Sequence, residues 1–462
     1  MRYCLSTLLL PLVFGLTATD LHAAGDGEAD LSFGSNGFRL IDTPPIGDVP
    51  TNERGLFAHR LADGRLLVVM QAQQADAQRA ITTVLSANGV DQLATAEFPQ
   101  NFGALDPPLR GFGVDGSERL LIGGNEVDSM TNRVQPVIVR AVGPDYQPDP
   151  SFGVDGAARP FGSTPFAVLL AMTVLADGRS IVCGAANLTG LGQRGYCLRL
   201  DANGVLDSSF GPLIFNPPGV NLTSIGAVRE DSAGRLLLAG HAQVSGIAST
   251  LTFSARMTAN GDLDCDYCAS DCDDEFDLQT GPGYRINNQS TFGLFPCFDL
   301  RQRADGVILQ GIFNGPTLGG LGYLSYLESG QVAGGASFNF GEFNGSLGCG
   351  SLAIEGDNRT LMAYTFRADG LQAGGMRRFR PSPTLEAMFD PSFSEAASSI
   401  RAPLPGGQLS GSNECNFALL EANGILCVGL TRVSDKPLNL DAMLYRVVNG
   451  APPVVFGDGF EP

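Results

Sequence analysis

Tryptophan is absent from this chain of 462 residues, and histidine occurs only three times. The lack of indole rings argues against carbohydrate-binding platforms that stack sugars on tryptophan. Beyond the first 24 residues the histidines are His59 and His241, which lie far apart in the sequence. A histidine-based catalytic triad or a three-histidine metal site is therefore hard to assemble.

Positive charge is scarce as well. The chain has 29 Lys and Arg against 48 Asp and Glu, a net charge of −19, and its longest basic run is Arg377-Arg378. This balance argues against nucleic-acid partners and against anionic membrane surfaces. No apolar run approaches the roughly 18 residues that a membrane-spanning helix needs, so we predict no membrane span.

Familiar catalytic motifs are also missing. The sequence contains no GxSxG, HExxH or GxxxxGK[ST] pattern. One segment, 111–116, matches GxGxxG, but it leads into a predicted strand, whereas dinucleotide binding needs a helix N-terminus beneath the pyrophosphate. We therefore expect no catalytic residue of these types and no cofactor.

The first 24 residues predict a secretory signal peptide. Arg2 supplies a positive start, residues 8–16 form a short apolar core, and Leu21-His22-Ala23 is a plausible cleavage site. The mature chain is expected to be exported, with a periplasmic, cell-surface or extracellular location.

What the chain does have is a repeat. Glycine is abundant, at 60 residues, and seven turn signals recur from residue 63 to residue 423 in six intervals, a mean period of 60 residues. A regular period of this kind predicts a repeat architecture. The turns are Asp63-Gly64, Asp115-Gly116, Asp177-Gly178, Ala233-Gly234, Asp305-Gly306, Asp357-Asn358 and Asn423-Gly424.

Each turn joins two apolar runs into a hairpin, and a third run follows. Several units then end in a phrase such as Asp149-Pro-Ser-Phe-Gly153, which we call the closing phrase. Four strands in each of seven units predict an all-β fold, a seven-bladed β-propeller over residues 25–450. A closing phrase at Asp30–Gly34 has no unit before it, so we expect residues 33–41 to supply the outer strand of the last blade.

These phrases resemble those of the delta-60 repeat family. Residues 32–37 and 151–156 match its Ser-Phe-Gly-x-x-Gly ending, whereas the units near Phe102 and Phe338 depart from it. The family is defined by its repeat, so the resemblance implies the propeller and no catalytic residue. A tail at 451–462 resembles a short Phe-x-Asp-Gly-Phe-Glu ending of exported bacterial proteins, and equally a degraded closing phrase.

Export makes the cysteines candidates for disulfides. Nine follow the signal peptide, so at least one is unpaired or intermolecular. Hairpin register places Cys183 opposite Cys197, which is the pair we predict first. Cys297, Cys349 and Cys415 each precede their turn by eight residues, and we interpret them as buried thiols in equivalent strands.

The segment 260–280 is acidic and cysteine-rich, and it falls in the longest interval between turns. We place it as an insertion between the fourth and fifth blades. Disulfide stapling through Cys265, Cys268 and Cys272 is the favoured interpretation. Two alternatives remain, zinc binding by the same three thiols and calcium binding by the carboxylates of Asp262, Asp264, Asp266 and Asp273.

Two classes of function follow. The favoured one is an exported, non-catalytic scaffold that binds a protein or a cell-envelope component. The alternative is a lyase or hydrolase with carboxylates and tyrosines at the mouth of the channel. The propeller fold accommodates both.

Overall fold

The computed structural model describes strands and turns from residue 27 to residue 449. The described residues are 27–41, 43, 52–74, 77–103, 109–128, 133–161, 166–248, 250–268, 277–290, 299–314, 320–339, 345–368, 371–380, 388–390, 393, 413–422, 424–432 and 440–449. The predicted signal peptide and the tail 451–462 lie outside this part. No described residue lies in a helix long and apolar enough to cross a membrane.

Seven antiparallel sheets form the ring of an all-β, seven-bladed propeller, as the repeat predicted. Blades 1 to 3 contain Asn52–Arg60, Leu66–Gln74, Ala77–Leu85 and Gln92–Glu97; then Leu109–Val114, Leu120–Asp128, Arg133–Val142, Gln147–Pro148 and Ala157–Ala158; then Ala167–Val174, Ser180–Leu188, Gly192–Leu200 and Leu213–Phe215.

Blades 4 to 7 continue in the same order along the chain. They contain Val220–Glu230, Leu236–Val244, Leu251–Met257, Asp277–Gly281 and Tyr284–Ser290; Leu300–Gln302, Ile308–Asn314, Gly320–Tyr326 and Val332–Asn339; Gly345–Ile354, Thr360–Ala368, Leu371–Arg380 and Met388–Phe389; and Phe417–Glu421, Gly424–Arg432 and Leu440–Val448.

The N-terminal strand Phe38–Ile41 belongs to blade 7. It pairs antiparallel with Leu440–Val448 and is the outermost strand of that sheet. Asp30 at the start of the preceding closing phrase forms an ion pair with Arg446 at 2.9 Å. The last blade is thus built from both ends of the described chain.

Apolar clusters between neighbouring sheets form the core. Leu67, Val69 and Val84 of blade 1 pack with Leu120 and Ile122 of blade 2, and further clusters join blades 2 to 5 in turn, blade 6 to blade 7, and blade 7 to blade 1. Alternation along each strand directs side chains toward both neighbouring blades. Each blade is therefore stabilised mainly by the blades beside it.

One turn differs from its predicted form. In blade 2 the left-handed residue is Glu118 (φ 56°), not Gly116, and the N–H of Asp115 donates to the carbonyl of Arg119, as the N–H of Leu61 does to Arg65 in blade 1. Ser117-Glu118 therefore corresponds to Asp63-Gly64, two residues after the predicted Asp115-Gly116. In blade 6 the left-handed residue is Asn358 (φ 65°), at the position of Gly64, as predicted.

The closing phrases join neighbouring blades. In each described example an arginine of the third strand lies over the aromatic ring of the phrase and pairs with its aspartate, an arrangement that we call the closing-phrase clamp. The pairs are Arg140 with Asp149 and Phe152, Arg199 with Asp207 and Phe210, Arg256 with Asp264 and Tyr267, Arg378 with Asp390 and Phe393, and Arg446 with Asp30 and Phe33.

The clamp also contacts the next blade. Phe152 packs under Gly204, whose φ of +82° and lack of a Cβ leave room for the ring. Arg140 donates to the carbonyl of Ala202 beside it. Arg199 makes the same bond to Ala259 at 2.9 Å. Cation–π contact and a buried ion pair thus act together at the blade boundary.

Candidate functional site

The acidic segment lies within blade 4 rather than between blades 4 and 5. It connects the third strand, Leu251–Met257, to the fourth strand, Tyr284–Ser290, and Asp277–Gly281 pairs with this fourth strand as the outermost strand of the sheet. The predicted position between the blades was wrong because the fourth strand of blade 4 follows the insertion in the chain.

Part of the segment is a closing phrase. Asp264 accepts a bond from Arg256 Nε at 2.6 Å, and Tyr267 lies under the same guanidinium. Cys268 has a φ of 57°, and its N–H donates to Ser329 at 2.8 Å, as the N–H of Gly153 does to Asn203 at 2.7 Å. Residues 264–268 therefore correspond to Asp149–Gly153, with tyrosine replacing phenylalanine and cysteine replacing glycine.

This placement bears on the predicted calcium ligands. Oδ2 of Asp264 is bound to Arg256 and Oδ1 accepts the N–H of Asp266 at 3.1 Å, whereas Asp262 and Asp266 are exposed. Among the described residues no three His, Cys, Asp or Glu side chains form a group that could hold a metal ion. Asp273 lies outside the described residues. Calcium binding therefore stays a prediction.

The cysteines divide into several cases. Cys183 and Cys197, opposite each other in blade 3, form the predicted disulfide. Cys415, just before the first strand of blade 7, forms a second one with Cys427 on the second strand. Our interpretation of Cys415 as a buried thiol was therefore wrong. Its partner was missed because the pair needs the register of a hairpin whose strands were placed only approximately.

In the acidic segment, Cys265 is a free, exposed thiol and Cys268 is disulfide-bonded, so Cys268 is not available as a zinc thiolate. Cys272 lies outside the described residues. The favoured disulfide interpretation of this segment thus holds for Cys268 and not for Cys265.

The first strands of the blades contact one another and surround the axis of the ring. Near the end that carries the first hairpin turns, charged side chains from blades 4 and 5 converge. We call Arg229, Asp299 and Arg301 the axial cluster. Their side chains are 32%, 7% and 17% exposed, so the cluster is accessible mainly through Arg229.

Asp299 holds the cluster together. Its Oδ1 accepts a bond from Arg229 Nη2 at 3.0 Å, and its Oδ2 lies 3.2 Å from Arg301 Nη2. Oδ2 also accepts the N–H of Leu352 in blade 6 at 3.0 Å, while Arg301 Nε donates to the carbonyl of Leu352 at 2.8 Å. One carboxylate thus fixes two guanidinium groups and connects three consecutive blades.

The cluster holds one more positive than negative charge. Burial lowers the pKa of Arg301 to about 10, the Asp299 carboxylate opposes this change, and the Arg229 guanidinium adds to it. Arg229 is the most exposed member of the cluster. A partly exposed site with an excess of positive charge is suited to bind an anion.

A second ionic contact lies at the other end of the first strands. Arg54 of blade 1 pairs with the buried Glu414 of blade 7 at 3.0 Å, and Asn416 bonds to Glu414 at 3.2 Å and to the carbonyl of Gly55 at 3.1 Å. This group is electrically balanced and joins the first and last blades. Its geometry indicates a structural role.

His241, one of the two histidines, lies on the second strand of blade 4, opposite Ser224 of the first strand. Burial lowers its pKa to about 4, so it is neutral at physiological pH. His59 lies on the first strand of blade 1, in a different blade. The two histidines are therefore not brought together, as their sequence positions suggested.

Sequence reasoning missed the axial cluster. Arg229 and Asp299 are 70 residues apart and belong to no motif. The one available signal was register, since Arg229 and Arg301 both stand opposite the second residue of the following strand. That equivalence becomes clear only once the turn of each blade is correctly aligned.

Comparison with known proteins concerns the fold. No family model and no curated protein sequence matches the chain. Among solved structures, the polysaccharide lyase Uly1 is similar with a TM-score of 0.51 at 9% identity, over 89% of this chain and 92% of that one.

Two further structures resemble the chain more weakly. A PL25 ulvan lyase has a TM-score of 0.49 at 8% identity over 90% of this chain and 96% of that one. The β-propeller domain of the Trilobed protease from Pyrococcus furiosus has a TM-score of 0.41 at 6% identity, over 88% of this chain and 98% of that one.

Proposed function

We propose that the chain is an exported, non-catalytic binding protein whose propeller holds an anionic group of a protein or cell-envelope partner at the axial cluster. The observation that carries this proposal is that Arg229 and Arg301 share the single carboxylate of Asp299. A bound anion would balance the remaining positive charge.

We further propose membership of the delta-60 repeat family, because the closing phrases that suggested it are the residues of the closing-phrase clamps. Asp149, Phe152 and Gly153 each make a contact that their position in the phrase requires. The support is the shared phrase and its structural use.

The enzyme alternative receives less support from the same site. The fold is shared with a polysaccharide lyase, which motivates testing for lyase activity. However, proton abstraction needs a carboxylate, histidine or tyrosine that is free to accept a proton. Both oxygens of Asp299 already accept bonds, and no tyrosine is among the described contacts of the cluster.

The test uses the full-length mature chain and two variants, Arg229→Gln and Arg301→Gln. Alginate and dextran sulfate, which present carboxylates and sulfates, serve as probes in calorimetric titrations, with neutral dextran as the blank. Galacturonate is included as a small carboxylate. We expect binding of at least one anionic probe, weakened about tenfold or more by either substitution, since a charged hydrogen bond contributes about 1.5–3 kcal/mol.

Arg179→Gln is the matched control, because Arg179 pairs with Asp177 at an exposed turn, where both side chains are well solvated. It removes the same charge from the protein but leaves Arg229, Asp299 and Arg301 intact. Equal loss of binding in all three variants would refute a specific axial site. Ultraviolet absorbance of an unsaturated sugar product in the alginate samples would instead favour the lyase alternative.

A further inference from the structure

Arg229 and Arg301 have an equivalent residue in each of the other five blades. The residue that stands opposite the second residue of the following strand, or in blade 7 opposite the third, is an arginine in blades 4 and 5 only. These equivalent residues are His59, Gly113, Thr173, Arg229, Arg301, Ala353 and Leu419. A second anion at this level would therefore meet no further arginine.

The surroundings of the cluster are acidic. Glu230 follows Arg229 toward the turns, and burial together with the Asp177 carboxylate raises the pKa of Glu230. The exposed turn aspartates Asp63 and Asp177 are already paired with Arg65 and Arg179. The described rim thus offers no excess of positive charge, and the whole chain carries −19.

We infer that the axial cluster selects a single carboxylate on an otherwise uncharged ligand and discriminates against polyanions. This inference rests on the proposed function. The excess of one positive charge is balanced by one carboxylate, whose planar shape fits a guanidinium group. Each additional negative charge on the ligand is repelled by the acidic chain, most strongly at low salt, where screening extends over a longer distance.

The experiment compares galacturonate, which has one carboxylate, with polygalacturonate, which repeats the same group along a chain. Titration calorimetry is performed at about 20 mM and 150 mM NaCl, where the screening length falls from over 20 Å to about 8 Å. We expect galacturonate to bind one per chain and to lose at least tenfold in affinity in Arg301→Gln. Polygalacturonate should bind more weakly per carboxylate, and the difference should widen at low salt.

Controls distinguish failure of the selectivity for one carboxylate from failure of the proposed anion site. Arg179→Gln should retain galacturonate binding, and thermal melts confirm that each variant is folded; Arg229→Gln replaces Arg301→Gln if the latter is not. The selectivity would be overturned if polygalacturonate bound more tightly than galacturonate, gained affinity at low salt and still needed Arg301. That result would leave the proposed anion site in place. If neither this pair nor the other anionic probes bind the folded protein, the proposed function itself is wrong.

Discussion

Oδ2 of Asp299 accepts a hydrogen bond from the main-chain N–H of Leu352 at 3.0 Å, although the two residues lie 53 positions apart on neighbouring blades. Ser351 makes the corresponding contact one blade further on, where its Oγ accepts the N–H of Ala418 at 2.9 Å. A polar side chain at this position of the first strand therefore connects a blade to its successor near the axis.

Replacing Asp299 should weaken this connection. We expect Asp299→Asn to lower the free energy of unfolding by about 2 kcal/mol, because the variant loses a charged acceptor for Arg229 and Leu352. Urea denaturation followed by circular dichroism measures the change. Asp305→Asn at the nearby exposed turn should cost less than about 0.5 kcal/mol. Equal effects of the two substitutions would contradict a bridging role for Asp299.

The contact of Phe152 with Gly204, at the boundary of blades 2 and 3, can be tested by replacing glycine with alanine. A Cβ at Gly204 would lie 2.8 Å from the ring of Phe152, whereas a Cβ at Gly190 would meet no atom within 4 Å; their φ angles are +82° and +80°. Both alanine variants bear the same backbone strain, about 1 kcal/mol. We expect Gly204→Ala to be at least 1 kcal/mol less stable than Gly190→Ala in chemical denaturation, since the ring must move. Equal stability of the two variants would mean that Phe152 is not held tightly.

Stability should depend on pH through His241. Its folded pKa of about 4 lies below the unfolded value of 6.5, so the unfolded state binds the proton more readily. The stability contribution is complete above pH 6.5 and is lost as the pH falls from 6.5 toward 4. Unfolding free energies at pH 7.5 and 5 should differ less in His241→Gln than in the original chain. An unchanged difference would show that His241 is not the group responsible.

The thiols should differ in reactivity and in their contribution to stability. A maleimide probe should modify Cys265 in the native protein, as mass spectrometry of peptides can establish, because this thiol is free and exposed. Cys265→Ser should leave the melting temperature unchanged. The double variant Cys183→Ser and Cys197→Ser should lose about 3 kcal/mol, since their disulfide closes a loop of 14 residues. Labelling of Cys183 without reductant would contradict that disulfide.

The calcium prediction needs variants that leave the clamp intact. Asp264→Ala alone should cost about 3 kcal/mol without any metal, because it leaves the buried Arg256 without its carboxylate. If these carboxylates bind calcium, calcium should raise the melting temperature of the native chain, and the rise should disappear in the double variant Asp262→Ala and Asp266→Ala. A melting temperature that responds to neither calcium nor chelator would contradict the prediction.

The general architecture could be predicted from the sequence because strands and turns are local. Alternating apolar runs and Asx-Gly turns fix the hairpins, and the unpaired phrase at Asp30–Gly34 indicated how the last blade obtains its outer strand. The errors were local too. Asp264–Cys268 was not recognised as a closing phrase because four of its five residues differ from those of Asp149–Gly153, while its geometry is retained.

The axial cluster could not be predicted in the same way. Its charges come from different blades, and the packing of blade 4 against blade 5 brings Arg229 and Asp299 to 3.0 Å. The composition does not indicate such a site either, because a chain with a net charge of −19 is not expected to have a cationic site. Local charge depends on which few side chains meet, and that depends on register within every intervening hairpin.

The pairing of Phe38–Ile41 with Leu440–Val448 sets a time order for biosynthesis. A chain made from its N-terminus presents Phe38–Ile41 hundreds of residues before its partner strand exists. Until the final hairpin has been synthesised, this early segment has no native edge to join. Completion of the ring must therefore follow synthesis of the whole chain, and a protein stalled or truncated before residue 440 cannot close it.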